Sequence, residues 1–157
     1  EELAVIVRYC WIEEPYWLAF INHYYSLGVK FIHVIIQYDE DINALENFIY
    51  PKDLEINIHK VSKKLTPNAA LISFDLDKIS KKSKYFLLVD ADEFVFSFNK
   101  KIKLSELLHN RKSINLRWVM NPITTNQDLN AGFYGGETKP IALGKKITGI
   151  RSCHNFK

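Results

Sequence analysis

Asp90 and Asp92, spaced i, i+2 and followed at once by Glu93, close the apolar run Tyr85-Phe-Leu-Leu-Val89. Side chains alternate along a strand, so a strand continuing through the motif would present both aspartates on one face, with Cα atoms about 6.5 Å apart. Packing explains such a pair poorly. A hard divalent cation that also carries phosphate oxygens explains it well, because such ions use one or two carboxylates and leave other positions to the ligand. The motif therefore reads as a metal–diphosphate site.

The elements that must position this pair alternate. Residues 3–7 read as a strand. Glu13-Glu14-Pro15 has the acids and proline that open a helix, continued by Trp17, Phe20, Ile21, Tyr24 and Leu27 at helical spacing, with Gly28 as its stop. Residues 31–36 are almost wholly apolar and β-branched, as in a parallel strand covered on both faces. The pattern then predicts a helix over 41–50, a strand over 55–61, a helix over 67–80, a strand over 85–89, a helix over 104–109 and a strand over 114–119. Such alternation implies an α/β fold, a mostly parallel doubly wound sheet with helices on both faces. Ligands of these sheets sit beyond the carboxyl ends of the strands, where Arg8, Asp39 and Asp90 would gather from three turns. The stretch 121–136 is rich in Asn, Thr and Gly and reads as a mobile loop over the crevice, followed by terminal segments 139–143 and 147–156.

Composition narrows the class. A chain of 157 residues, 47% of them hydrophobic, suffices for one substantial core and one domain. The net charge of +3 is spread over short pairs such as Lys63-Lys64, Lys81-Lys82 and Lys100-Lys101, which reads as a solvated surface and not a nucleic-acid patch. Cys10 and Cys153 are the two cysteines and have no CxxC spacing, so neither a disulfide framework nor a thiolate zinc site is expected, and a reducing compartment fits. No apolar run approaches the roughly 18 residues of a membrane span, and Glu1-Glu2-Leu3 has neither a basic leader nor an initiator Met, which leaves open a further segment before it.

Taken in order, Glu13-Glu14-Pro15-Tyr16, Leu27-Gly28-Val29, Pro67-Asn-Ala-Ala70, Asp90-Ala-Asp-Glu-Phe94, Trp118, Lys139-Pro-Ile141 and His154-Asn-Phe156 resemble the family-2-type glycosyltransferases, and within them the branch related to family 92. The resemblance spans nearly the whole chain. It implies the GT-A nucleotide-diphospho-sugar fold, with a nucleotide-binding half over 1–95 and an acceptor or closing half over 96–157, and transfer with inversion at the anomeric carbon. Residue by residue, it implies Asp92 as direct metal ligand, Asp90 toward the metal and the donor's hydroxyls, and His154 reaching the metal or diphosphate. It places Glu13 near the nucleotide base and Lys139 near phosphate. Departures stand at Ile12, where Asn is usual, at Ala19, where Glu is common, at Tyr24, where His is common although His23 is adjacent, and at Ile36. The family's acid after the second strand falls at Ile36, so Asp39 takes that place only across a longer turn.

On this reading the chain is an Mn²⁺- or Mg²⁺-dependent enzyme moving a sugar from a nucleotide-diphosphate donor to a glycan or lipid-linked acceptor, as in polysaccharide biosynthesis. It is expected to be cytoplasmic, with peripheral membrane association. Mixed oxygen and imidazole ligation favours Mn²⁺. Direct inversion needs a general base within hydrogen-bond reach of the acceptor hydroxyl. Glu137, in the flexible-looking Gly135-Gly136-Glu137, is preferred over Glu93 and Asp128. Phe94 and Trp118 read as core residues beside the site, and His33 and His59 as structural. Three alternatives stand beside this one. A haloacid-dehalogenase-type phosphatase also carries Asp-x-Asp after a strand, but usually the first strand. A nucleotidyltransferase would have a Gly-rich basic loop after the first strand, where Arg8-Tyr-Cys-Trp11 stands instead. The third is a non-catalytic relative that binds a sugar or a partner.

Overall fold

The computed structural model describes residues 3–76, 79, 83–96, 104–108, 113–120, 133–143, 150–152 and 155–156. Its central sheet has six strands in the order β3-β2-β1-β4-β6-β5: β1 (Leu3–Arg8), β2 (Phe31–Ile36), β3 (Glu55–Lys60), β4 (Tyr85–Val89), β5 (Ser113–Met120) and β6 (Phe133–Leu143). β1 to β4 are mutually parallel, and β6 runs antiparallel to both β4 and β5. The sheet is therefore mixed, mostly parallel. β7 (Ile150–Ser152) and β8 (Asn155–Phe156) pair in a second, two-stranded sheet.

Strand alternation divides the interior into two layers. Leu3, Val5 and Val7 of β1, Val34 and Ile36 of β2, and Leu87 and Val89 of β4 point into one core, where α1 (Glu14–Ser26) contributes Trp17, Phe20, Ile21 and Tyr24. α2 (Asp39–Glu46) adds Leu45 there, and α4 (Leu104–Leu108) adds Leu104 and Leu108. Ala4, Ile6, Ile35, Phe86 and Leu88 point the other way, onto Leu71 of α3 (Pro67–Ile72), Phe74 and Ile150. Helices thus cover both faces. Each of these large side chains contributes about 1.5–3 kcal/mol by leaving water.

The helix ends follow from the sequence. A 3₁₀ turn, Trp11–Glu13, leads into α1, and Pro15 occupies its first turn, where a missing N–H costs nothing. α1 ends in a Schellman motif: Gly28 N–H bonds the Tyr25 carbonyl and Val29 N–H the Tyr24 carbonyl. Gly28 has φ +89°, a conformation that only glycine adopts cheaply.

Four expectations require correction. α2 begins at Asp39 and ends at Glu46, earlier than the 41–50 expected, because Tyr38 is already extended at its N-cap. α3 stops at Ile72 and does not reach residue 80. The Ser73 hydroxyl donates to the Ala70 carbonyl and Phe74 N–H to the Leu71 carbonyl, after which Phe74, Leu76 and Ile79 are buried against the second core. The supposed loop 121–136 is strand from Phe133 onward; 121–132 lie outside the described residues. Between the pairs Arg117↔Thr138 and Val119↔Tyr134, β6 carries two more residues than β5, so Gly135-Gly136-Glu137 forms a bulge inside a strand rather than a free segment. Finally, Phe94 is 40% exposed and not a core residue, with its edge on Phe20 and His23.

Among the described residues, no helix is long and apolar enough to cross a membrane.

Candidate active site

The chain builds β1, β2 and β3 outward in one direction and then returns to place β4 on the other side of β1. The β1/β4 boundary is therefore the point where the strand order reverses, and the crevice beyond the carboxyl ends of those two strands is where such folds take ligands. Val7 pairs with Val89, so Arg8 and Asp90 leave adjacent parallel strands side by side.

β4 stops at Val89, one residue short of the acidic pair. The continuing strand expected from alternation gives way to a turn, in which Glu93 N–H bonds the Asp90 carbonyl at 3.0 Å and Asp90 N–H donates to Glu93 Oε2 at 2.7 Å. Glu93 thus bonds its own turn at both its main chain and its carboxylate. Ala91 is buried at the centre of the turn, Asp90 is half-buried and Asp92 is exposed.

α1 holds the far side of the turn. Tyr24 Oη donates to the Glu93 carbonyl at 3.0 Å, and His23 Nε2 lies 2.6 Å from the Val95 carbonyl. Tyr16, earlier on the same helix, has its hydroxyl pKa raised by burial and then by the charges of Glu13 and Asp92.

The loop after β1 is clamped from within. Glu13 is buried; its Oε2 accepts the Cys10 N–H, and its Oε1 lies 3.7 Å from the Arg8 guanidinium. Burial, then the Glu13 hydrogen bond, pushes the Cys10 thiol pKa up. Asp39 stands at the start of α2 in an exposed ion pair with Lys60. The acid that faces Glu13 from this turn is instead Asp41, 2% exposed. Burial and then Glu13 raise its pKa, while the main-chain amides of Tyr38 and Trp11 act in the opposite sense. Burial, then Glu14 and Asp41, pushes the Tyr9 hydroxyl up to about 12. Gln37, also buried, donates to the carbonyls of Ser62 and Leu65 at 3.2 and 2.8 Å and so ties the turn after β2 to the turn after β3.

Of the expected site residues, the structure brings Arg8, Glu13, Asp90, Asp92 and Glu93 to this crevice. Glu137 and Lys139 belong to β6, with Lys139 paired to Leu116; Asp128 and His154 lie outside the described residues. His33 and His59 form a pair, Nδ1 to Nε2 at 3.0 Å, on the α3 side of the sheet. Asp41, Gln37, Tyr16 and His23 were not singled out as site residues. Only their long-range contacts reveal them, although a buried acid two residues from the expected Asp39 is a signal that the turn offered.

Among the described residues, no group of three or more His, Cys, Asp or Glu side chains is placed to hold a metal ion. A closed protein cage is absent there, but two carboxylates at an open edge are the donor set of a cation whose remaining ligands are water and phosphate. Asp90 and Asp92 are oxygen donors of that chemical kind, two residues apart on the turn.

Neither a protein-family model nor a curated protein sequence matches the chain. Among solved structures, it is similar to 4-diphosphocytidyl-2C-methyl-D-erythritol synthase from Anaerococcus prevotii DSM 20548, with 14% identity, 92% of this chain and 72% of that chain covered, and a TM-score of 0.53. The likeness is one of fold.

Proposed function

We propose that the chain is a GT-A-type, metal-dependent inverting glycosyltransferase that moves a sugar from a nucleotide-diphosphate donor to a glycan or lipid-linked acceptor. The observation that carries the reading is the Asp90–Glu93 turn at the carboxyl end of β4, beside Arg8 at the point where the strand order reverses. The named product of the similar synthase contains a diphosphocytidyl group, which supports a nucleotide-derived ligand on this fold.

Asp92 and Asp90 would hold Mn²⁺ or Mg²⁺. A bound divalent cation neutralises charge developing on a diphosphate leaving group without proton transfer. The chain's own residues supply the rest. Glu93 and the α1 side chains fix the turn, Arg8 puts a cation beside the acidic pair, and the clamped loop after β1 shapes the nucleotide side of the crevice. Residues 1–95 form the nucleotide-binding half. Residues 96–157 close it, with Lys139 toward phosphate, His154 as a third metal ligand and Glu137 or Asp128 as the base that takes the acceptor hydroxyl proton. Glu93 is the weaker candidate base, because its carboxylate already accepts from Asp90 N–H. The enzyme works in the cytoplasm, with peripheral association to the membrane that carries its acceptor.

The similar synthase favours one second reading, transfer of a nucleotidyl group. The loop Tyr9-Cys10-Trp11 argues against it, because it has neither glycine nor lysine. A thermal-shift panel of nucleoside diphosphates with and without Mn²⁺, on the parent and on Asp92→Ala, tests the proposal, since a ligand that binds only the native state raises its stability. A Mn²⁺-dependent shift with one nucleotide, lost in Asp92→Ala, is expected. No shift with any diphosphate overturns it, and a shift confined to nucleoside triphosphates favours nucleotidyl transfer.

A further inference from the structure

We propose that His23 is a positioning residue, which with Tyr24 fixes the exit of the Asp90–Glu93 turn so that the two aspartates are set for a divalent cation before the cation arrives. The inference rests on the metal role given to that turn above. Three independent contacts carry it. His23 Nε2 lies 2.6 Å from the Val95 carbonyl; a carbonyl oxygen only accepts, so that nitrogen carries the proton. Tyr24 Oη donates to the Glu93 carbonyl at 3.0 Å. The Phe94 ring between these two anchors stands edge-on to His23, with centroids 5.2 Å apart. Residues 93, 94 and 95 are therefore each held by α1, while the Glu93 carboxylate holds Asp90 from the other end of the same turn.

A helix is a good ruler for this task. His23 and Tyr24 sit ten and eleven residues after Glu13, about three turns along α1. Glu13 caps the start of that helix and accepts Cys10 N–H from the loop after β1. One rigid element thus sets the spacing between the loop after β1 and the turn after β4, the two walls of the crevice. A free acidic turn repels itself and splays, whereas this one has its backbone fixed by His23 and Tyr24 through the carbonyls of Val95 and Glu93. Such supporting contacts typically change metal affinity by about 10–100-fold.

The test is Mn²⁺ alone, titrated by electron paramagnetic resonance into the full chain and three variants, with hydrogen exchange of the amides of residues 90–95 measured in parallel. His23→Phe keeps a ring against Phe94 and removes the donor. It is expected to weaken Mn²⁺ binding about tenfold and to speed exchange across the turn. His23→Gln retains a donor and is expected to stay within about threefold of the parent. Tyr24→Phe removes the second anchor with little change of volume and should weaken binding in the same sense, which keeps the idea testable if His23→Phe folds poorly. Parent-like Mn²⁺ affinity in folded His23→Phe or Tyr24→Phe overturns the inference while leaving the metal site standing. Absence of Mn²⁺ binding in the parent overturns both.

Discussion

Removing the carboxylate of Glu93 separates a scaffold from a catalytic group. Glu93 Oε2 accepts the Asp90 N–H at 2.7 Å. A hydrogen bond with one charged partner contributes about 1.5–3 kcal/mol, so Glu93→Ala should lose about 2 kcal/mol of stability. For a chain of this length that is a fall of about 4–8 °C in the thermal midpoint. Glu93→Gln retains an oxygen able to accept the same N–H and should lose less than about 1 kcal/mol. Urea unfolding measures both, with an unchanged denaturant slope showing that the compactness of the end states is unaltered. A Glu93→Ala stability within about 0.5 kcal/mol of the parent, or a Glu93→Gln variant as damaged as Glu93→Ala, would refute the view that this carboxylate belongs to the turn.

Asp41→Asn should stabilise the chain at pH 7. Burial and Glu13 raise the folded-state pKa of Asp41, so the native state penalises its ionised form. That penalty is absent well below the unfolded-chain pKa of about 3.9 and complete once pH exceeds the raised folded value. The advantage of the variant should therefore shrink to nothing as unfolding curves are taken down to about pH 3, and a pH-independent difference would contradict the assignment. Gly28→Ala meets no atom within 4 Å at the new Cβ, so its cost should be backbone strain alone, about 1–2 kcal/mol by chemical denaturation. Gln37→Ala removes the donor to both the Ser62 and Leu65 carbonyls; it should cost about 1–3 kcal/mol and raise hydrogen exchange in residues 62–65, and unchanged exchange there would show that the tie is idle.

The parallel half of the fold was legible because a strand covered on both faces must be apolar throughout. The expected bounds of β2 and β4, 31–36 and 85–89, are those observed. Helix periodicity served less well over 67–80. Phe74, Leu76 and Ile79 continue an apolar pattern, but they reach the second core beyond the end of α3 at Ile72, so the same burial is reached without prolonging that α-helix. β6 was hidden by Gly135-Gly136, whose composition signals a loop while its conformational freedom serves a bulge. At the site, Asp90 and Asp92 stood out because two acids after an apolar strand have no local explanation. Asp41 and Gln37 did not, since each resembles a surface polar residue until the turns it joins are seen together. Likewise His23 reads as one more helix residue, because its partner lies 72 positions away.

Gln37 and Asp41 have one more consequence. Between them they face the chain at Trp11, Tyr38, Ser62 and Leu65, three successive turns at the carboxyl edge of the sheet. The freedom of those turns is surrendered during folding, so a ligand arriving there has less disorder left to quench. Preorganisation of this kind improves affinity by removing an ordering cost and not by adding contacts. Loosening either residue should then leave crystallographic contacts to a ligand intact while making its binding entropy less favourable, a loss that calorimetry resolves and a static picture does not.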